Sequence, residues 1–132
     1  MLMVDGQGLP LSAFTTAANH AEVSSIETLL DVRICEQMPE RLLYDKAADA
    51  DWLREHLADR DSELICQHRK GRKKKPTQDN RKARRLQRRW IVERTIAWLQ
   101  NFRRLVVRYE NHAHLFEGFV QLACVMILLK RF

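Results

Sequence analysis

The segment from Arg81 to Tyr109 constrains the fold more than any other, because it combines a helical apolar pattern with a dense run of cations. At about 100° per residue, one face of a single long helix would carry its apolar side chains. These are Ile91, Thr95, Trp98, Phe102, Leu105 and Tyr109, widened by Val92, Leu99 and Val106. Glu93 falls on the opposite face and is the only acid between Arg81 and Arg108. The pattern therefore predicts a helix with one buried and one cationic face.

The isolated position of Glu93 among cations has two interpretations. A lone carboxylate can bind a divalent ion while neighbouring cations hold phosphates, which is what metal-assisted chemistry on nucleic acid requires. An ordinary surface ion pair with Arg89, four residues earlier, would explain the same acid without any chemistry. Both interpretations stay open at this level.

The charge divides the chain into two parts of opposite sign. The 132 residues carry a net charge of +6, but residues 1–68 carry −8 and residues 69–132 carry +14. Such asymmetry suggests a nucleic-acid-facing half, although the two halves could also neutralise each other in part within one fold. The densest basic run covers residues 69–76, and it could contact phosphates or be only a solvated loop.

The cysteine content and the hydropathy of the chain indicate in which cellular compartment it would fold. Cys35, Cys66 and Cys124 are few, odd in number and far apart, which argues against a disulfide framework and suits a reducing cytosol. The most apolar run, Leu122 to Leu129, is much shorter than the roughly 20 residues of a membrane span and predicts a buried helix. No signal peptide is recognisable. We therefore expect a cytoplasmic protein without a membrane segment.

Periodicity and turn residues predict an α/β chain of order β-β-α-β-α-β-α-α. The chain begins with a hairpin whose turn is at Asp5–Gly8, followed by a helix from Ser25 that is capped by Ser24 or Ser25. A strand at Leu42–Tyr44, a helix starting at Asp49 or Asp51 and a strand at Leu64–Cys66 come next. The long basic helix and a last apolar helix from His112 to Arg131 complete the order. The whole chain is expected to form one domain, with an acidic α/β part at 1–68, a basic loop at 69–80 and a helical part at 81–132.

The acid with the best position for chemistry in the first half is Asp45, at the end of a predicted strand. Sites in open α/β sheets form at the carboxyl ends of strands, although a helix cap or turn would also explain this residue. Asp5 is assigned to the hairpin turn. Asp49 and Asp51 are assigned to the first turn of a helix, where acids are common. The five histidines lack the spacing of a zinc site.

The segment Arg89–Leu99, with the sequence RWIVERTIAWL, resembles the C-terminal signature of DDE transposases of bacterial insertion sequences. The branch grouped around insertion sequence five is the most similar. The similarity continues in Phe102–Leu105, Arg108–Glu110, Val4–Leu11, Ala18-Asn19, Asp45-Lys46 and Phe119–Phe132. Departures from the family pattern are Leu86 in place of a tyrosine, Gln100 in place of a lysine or arginine, and Ala47-Ala48 in place of Gly-Tyr.

This resemblance implies a ribonuclease-H-like fold in which three acids bind two Mg²⁺ ions and catalyse DNA strand cleavage and transfer. By the same resemblance, Asp45 is similar to the second acid, Glu93 to the third, and Arg89 to the signature arginine. The family's first acid lies on a strand that precedes the one ending at Asp5, so the chain resembles a C-terminal portion with an incomplete fold. Two acids are a poor cage for two metals, and we expect this polypeptide alone not to transpose DNA.

The resulting expectation is DNA transposition, with Asp45 and Glu93 as catalytic metal ligands and transposon-end and target DNA as partner. The candidate DNA-binding residues are Arg89, Arg72, Lys73, Lys74, Lys75, Arg84, Arg85, Arg103 and Arg104. A non-catalytic basic DNA-binding module is the alternative, and a structural helical protein with purely superficial charge is a third reading. A second copy or a full-length relative could be a further partner.

Overall fold

A computed structural model describes residues 1–17, 19–71 and 80–131 as short strands alternating with helices. The strands are β1 (Leu2–Val4), β2 (Pro10–Ala13), β3 (Arg41–Leu43) and β4 (Glu63–Ile65). The helices are α1 (Glu22–Asp31), α2 (Asp51–Ala58), α3 (Asn80–Ala83), α4 (Trp90–Leu99), α5 (Arg103–Val106) and α6 (Ala113–Leu129), with 3-10 helices at Lys46–Ala48 and Arg84–Arg89. This mixed α/β content agrees with the predicted class. The ribonuclease-H-like fold itself stays a prediction.

The chain divides into two compact units. The first unit comprises Met1–His20, Glu27–Cys35 and Trp90–Phe132. The second unit comprises Ala21–Ile26 and Glu36–Arg89. The expectation of one domain with parts at 1–68, 69–80 and 81–132 also stays a prediction.

The first unit begins with the hairpin that the sequence predicts. Strands β1 and β2 are antiparallel, Met3 is opposite Ser12, and an irregularity follows Met3. One carboxylate oxygen of Asp5 accepts hydrogen bonds from the backbone N–H groups of Gln7 and Leu9, both at 2.8 Å. Asp5 is therefore a turn residue, as predicted, because its side chain closes the loop between the strands.

Helices α4 and α6 supply most of the apolar core of the first unit. The buried side chains of α4 are Ile91, Thr95 and Leu99, at the four-residue spacing of one helix face. Leu99 packs with three buried residues of α6 in a cluster that the hairpin side chains Leu2 and Ala13 partly cover; the α6 members are Ala123, Cys124 and Ile127. The orientation of α4, with Glu93 exposed on the side away from this core, is as predicted.

The second unit is built on a parallel pair of strands. Leu42 in β3 pairs with Leu64 in β4. Helix α2 packs against β4 and buries Leu53 and Leu57 completely. Ile65 is equally buried, so this small sheet and one helix enclose an apolar core. Both strands and the helix occur where the hydrophobic pattern predicts them.

The predicted caps of α1 are wrong. The helix begins at Glu22, so Ser24 and Ser25 lie inside it. The Ser24 hydroxyl donates to the carbonyl oxygen of Ala21 at 2.8 Å, and Ser25 is buried. A serine that bonds to a preceding carbonyl is compatible with the interior of a helix, which is why the serines did not mark its start.

The predicted long basic helix is also wrong, because the chain from Asn80 to Val106 forms three helices and a 3-10 helix. In a continuous α-helix, Arg84 and Arg85 would each face another arginine four residues later, and such like-charge pairs destabilise helices. After α4, Phe102 is extended, with φ −86° and ψ 112°. The break at this point ends the predicted apolar face, and Tyr109 is 70% exposed instead of buried.

The apolar run of α6 is only partly buried, contrary to the expectation of a buried helix. Several of its side chains are exposed on the other side of the helix from the core; these are Leu122, Val125, Met126 and Leu129. None of the helices in the described parts of the chain combines the length and the apolar character needed to cross a membrane.

Candidate nucleic-acid and metal site

Asp45 lies immediately beyond the carboxyl end of β3, in the second unit. Tyr44 continues the strand pairing through a bond from its N–H to the carbonyl of Ile65, and Asp45 then caps the 3-10 helix Lys46–Ala48. Its Oδ1 accepts from the backbone N–H of Ala47 at 2.7 Å. The cap role is therefore confirmed. The cap bond occupies only Oδ1, and no other residue in the described part of this unit donates a hydrogen bond to the carboxylate.

Tyr44, the residue before Asp45, is partly buried beside two acids at this strand end. Burial raises the pKa of Tyr44 to about 12, with further contributions from the negative charges of Glu22 and Asp45. The Tyr44 hydroxyl also donates to a Glu22 carboxylate oxygen at 3.4 Å. Tyr44 thus stays protonated and neutral beside Asp45 at any ordinary pH.

A buried acid lies four residues after Asp45. The Asp49 side chain is only 2% exposed, and its Oδ1 contacts Arg54 at 2.9 Å and His68 at 3.0 Å. Its Oδ2 accepts from the backbone N–H of Arg69 at 2.8 Å. Burial alone would raise the pKa of Asp49, but the hydrogen bonds from Arg54, Arg69 and His68 outweigh it and hold the pKa well below its usual range.

The same network reaches back to the turn that Asp45 caps. The Arg69 guanidinium donates from Nη2 to the carbonyl oxygen of Ala47 at 2.8 Å and from Nε to that of Lys46 at 3.2 Å. Arg54 donates to the carbonyl of Leu64 at 3.1 Å, which ties the network to β4. The turn that carries Asp45 is therefore joined to the sheet through two arginines and one buried carboxylate.

Glu93 lies in the first turn of α4, in the first unit, and its side chain is exposed. An acid in the first turn is favourable near the positive end of the helix, which is a structural explanation for this residue. Among the described residues of its own unit, Glu93 makes no ion pair. Its carboxylate is therefore accessible.

The two residues after Glu93 attach α4 to the hairpin turn. The buried Thr95 hydroxyl donates to the Gly8 carbonyl at 2.7 Å, and an Arg94 Nη donates to the Gln7 carbonyl at 2.5 Å. Gly8 has φ +90°, and a Cβ there would lie 2.9 Å from both Thr95 Oγ1 and Arg94 Nη2. Only glycine fits this turn against the helix without strain.

Arg94 also lies between two aromatic rings of its own helix. Its guanidinium is 4.8 Å from the ring centroid of Trp90 and 4.8 Å from that of Trp98. The two tryptophans, four residues before and after it, thus hold the same cation. Arg94 is a structural cation and is not available to phosphate.

The candidate DNA-binding cations fall into two groups by unit. In the second unit, Arg84 and Arg85 are exposed on the 3-10 helix and Arg89 at its end is half-buried. In the first unit, Arg103 and Arg104 are exposed on α5, where they line a cavity of about 170 Å³ together with Phe119 of α6. Arg72, Lys73, Lys74 and Lys75 lie outside the described residues.

Arg104 is partly neutralised, which distinguishes it from Arg103. Its Nη1 contacts a carboxylate oxygen of Glu110 at 3.0 Å, and its guanidinium lies 5.3 Å from the Phe119 ring centroid. Arg103 has no ion pair among the described residues of its unit. We therefore expect Arg103 to contribute more than Arg104 to any phosphate contact.

A complete metal cage is not found in the residues that the structure describes. Within 1–17, 19–71 and 80–131, no three His, Cys, Asp or Glu side chains lie close enough to hold an ion together. Asp45 belongs to the second unit and Glu93 to the first, so their convergence stays a prediction. Carboxylates are the right ligands for a hard divalent ion, but two of them fit only part of a two-metal site.

Sequence reasoning missed the network around Asp49, which it assigned to the start of a helix. The structure makes Ala50 the N-cap of α2 and directs the Asp49 carboxylate at Arg54, His68 and Arg69. These partners are 5, 19 and 20 residues away in sequence. Only the i, i+5 spacing to Arg54 lies within local reach, so no sequence pattern could have indicated the network.

Comparisons with known proteins identify the family of this chain. Residues 1–128 match the family model described as the transposase DDE domain. Because that match covers nearly the whole chain, the chain belongs to the DDE transposase domain family.

One relative extends this result to insertion sequences. The chain is 32% identical over 134 residues to the Burkholderia cepacia protein named "Putative transposase for insertion sequence element IS402". The match covers 96% of this chain and 60% of that relative, so the chain spans about three fifths of the relative's length. No solved structure matches the chain. The similarity confirms the family that the signature helix indicated.

Proposed function

We propose that this chain acts in DNA transposition, as the C-terminal part of a DDE transposase that cleaves and transfers DNA strands with the help of a divalent metal ion. The observation that carries this proposal is the placement of Asp45 at the carboxyl end of a parallel strand pair, with only one oxygen occupied by its cap bond. In α/β sheets this is where binding and catalytic groups collect. Membership of the DDE transposase domain family supports the same conclusion.

In this proposal Asp45 and the exposed Glu93 hold Mg²⁺, which supplies electrostatic stabilisation and an activated nucleophile when it is bound. Arg89 and the other candidate cations bind the DNA backbone. A further carboxylate is needed for two ions, because the described residues bring no third ligand together. We therefore expect no strand transfer by these 132 residues alone. Cytoplasmic location and association with a second copy or a full-length relative stay predictions from the sequence.

The test is Mn²⁺ binding to the full chain, followed by paramagnetic broadening of backbone amide signals. Asp45→Asn and Glu93→Gln should each weaken Mn²⁺ binding by about tenfold or more, since each removes a direct charged ligand. Asp59→Asn and Glu55→Gln are matched controls, because they remove the same charges from exposed positions of the second unit. The controls should change the affinity less than twofold.

The double variant decides whether the two acids share an ion. If they do, the losses of Asp45→Asn and Glu93→Gln are coupled and the double variant loses less than the product of the single losses. Independent losses would place the acids at separate sites and would contradict the proposal. Equal Mn²⁺ affinity in wild type and both single variants would contradict it more directly.

A non-catalytic DNA-binding module is the second candidate function. The exposed Arg84, Arg85 and Arg103 favour it, because in the described part of their units none of them has an acidic partner. Each cation that contacts a phosphate adds about one unit to the slope of log affinity against log salt.

Salt-dependent DNA binding distinguishes this second function. Arg84→Ala and Arg85→Ala should each lower the slope by about one. Arg41→Ala is the control, because Arg41 is already within 3.7 Å of Glu40 and 3.8 Å of Glu63. If Glu93→Gln strengthens DNA binding slightly and leaves Mn²⁺ binding unchanged, the chain is a binding module without a metal role for Glu93.

A further inference from the structure

We propose that Arg69 is a positioning residue for Asp45, which holds the turn that aims the Asp45 carboxylate and does not itself contact DNA. The inference rests on the proposed function, because it assigns Arg69 a role in the metal site through Asp45. It goes beyond that function in naming a residue that touches neither metal nor substrate.

Ala47 connects the Asp45 carboxylate to the Arg69 guanidinium. Its backbone N–H donates to Asp45 Oδ1 at 2.7 Å, and its carbonyl oxygen accepts from Arg69 Nη2 at 2.8 Å. The adjacent carbonyl of Lys46 accepts from Arg69 Nε at 3.2 Å. The Lys46 carbonyl and the Ala47 N–H belong to the same peptide group, so the Arg69 guanidinium holds the peptide that directs this N–H and, through the Ala47 carbonyl, the next peptide along the chain. Because that N–H holds Oδ1, the direction of the free Oδ2 follows from the same clamp.

Arg69 is itself attached to the buried network of the second unit. Its backbone N–H donates to Oδ2 of the buried Asp49 at 2.8 Å. Asp49 is in turn bound by Arg54, whose other Nη donates to the Leu64 carbonyl in β4. Arg69 is therefore tied at its backbone to the sheet and at its side chain to the Asp45 turn. Because Arg69 is held at both ends, it restricts the motion of the short turn relative to the sheet.

Arg69 differs from the neighbouring cation Lys70 in its contacts. It stands at the start of the basic run 69–76, which could contact phosphates or be only a solvated loop. Its guanidinium already donates to two carbonyls, whereas the adjacent Lys70 is exposed and has no hydrogen bond or ion pair with a described residue of its unit. Arg69→Ala should therefore affect Asp45, and Lys70→Ala should affect DNA affinity.

The experiment compares Arg69→Ala with the matched control Lys70→Ala in the full chain. In Arg69→Ala, hydrogen exchange at the Ala47 amide should accelerate about tenfold or more, while the urea midpoint of the core changes little. Mn²⁺-induced broadening at residues 45–48 should weaken by a similar factor, and the salt slope of DNA binding should stay unchanged. In Lys70→Ala, exchange and broadening should stay as in wild type, and the salt slope should fall by about one.

Arg69→Lys is the second variant, and it tests the same contacts if Arg69→Ala does not fold. Lysine keeps the charge but cannot span two carbonyls with a fixed fork, so it should shift exchange and broadening in the same direction by a smaller factor. Restoration of wild-type values by lysine would mean that charge alone matters, and this would overturn the inference.

The outcomes also distinguish the inference from the function on which it rests. Unchanged Ala47 exchange in Arg69→Ala overturns the positioning role whatever the metal data show. Faster exchange without any Mn²⁺ broadening in the wild-type protein supports the clamp on the turn but removes the metal role of Asp45. A loss of core stability equal to the change in exchange would make Arg69 a general structural residue and would also overturn the proposal.

Discussion

The two candidate acids are held by different kinds of interaction, although both lie next to regular secondary structure. The turn that carries Asp45 is supported by a polar network centred on the buried Asp49 and its two arginines. The helix that carries Glu93 is supported by apolar packing and by one buried hydroxyl, that of Thr95, on the Gly8 carbonyl. The comparison shows that a short turn can be attached through a buried charge with several partners, without the apolar packing that attaches a helix face.

Because the two segments are attached differently, their stabilities should respond to different changes. A charge network responds to loss of one partner and to pH, because an uncompensated buried ion is costly. A packed helix responds to changes of volume and backbone conformation at its contact, because cores are close-packed. The following four predictions separate the two cases, in order of expected effect.

The largest effect is expected for Asp49→Ala. This substitution leaves the Arg54 side chain, which is only 13% exposed, without its carboxylate partner and removes the acceptor of the Arg69 N–H. Breaking a largely buried pair in this way costs about 3–5 kcal/mol. Urea unfolding measures the change. The control is Asp59→Ala in the same unit, because Asp59 is exposed, and it should change the free energy of unfolding by less than about 0.5 kcal/mol. A cost below 1 kcal/mol for Asp49→Ala would show that the network is not what holds the turn.

Gly8→Ala should be the most damaging change in the first unit. Alanine at φ +90° is strained. Its Cβ would also lie only 2.9 Å from Thr95 Oγ1 and 2.9 Å from Arg94 Nη2, so both side chains would have to move. We expect a loss of about 2–3 kcal/mol in thermal or urea unfolding. Gly6→Ala is the matched control in the same turn, because a Cβ there meets nothing within 4 Å. Equal effects at the two glycines would contradict the close contact between turn and helix.

Thr95→Val tests the hydroxyl without changing the packing volume. Valine keeps the shape of the side chain but leaves the Gly8 carbonyl without its donor, which costs about 1–2 kcal/mol. Thr28→Val, on the exposed face of α1, provides the comparison and should be nearly neutral. A neutral result for Thr95→Val would mean that apolar packing alone attaches α4 to the hairpin.

The pH dependence gives the smallest effect and separates the two regions. The pKa of Asp49 is depressed from its ordinary value of 3.8, so its stabilisation is present above that value and is lost as the pH falls towards the folded pKa. One proton per molecule changes stability by at most about 1.4 kcal/mol per pH unit. Between pH 4 and pH 3, wild type should therefore lose about 1 kcal/mol more than Asp49→Asn. Parallel curves for the two proteins would be evidence against the depressed pKa, and Thr95→Val should keep the wild-type slope.

Much of the local structure followed from the sequence because its causes are local. The Asp5-Gly6 turn between apolar runs predicted the hairpin, and the strand before Asp45 was recognisable as a short apolar run ending at an acid. The side of α4 that faces the core followed from the spacing of Ile91, Thr95 and Leu99. The family, too, could be recognised from the signature helix and is confirmed by the matching family model.

The break after α4 and the 3-10 helix at Arg84–Arg89 could not be predicted, because helical periodicity continued through both. Like-charge repulsion within the arginine run and an extended Phe102 interrupt a helix that the apolar pattern would have allowed. Helix α6 shows the same limit, since its composition predicted burial on all sides and its neighbours cover only one side.

The sequence by itself determined the family, the turn chemistry at Asp5 and which face of α4 is apolar, because spacing along one element decides each of these. Only the tertiary structure decided that Asp49 is a buried anchor, that Arg69 clamps the Asp45 turn, and that Thr95 and Gly8 meet across 87 residues. The physical reason is that a hydrogen bond depends on distances of about 3 Å between atoms that the folded chain brings together, and these distances leave no periodic trace in the order of residues.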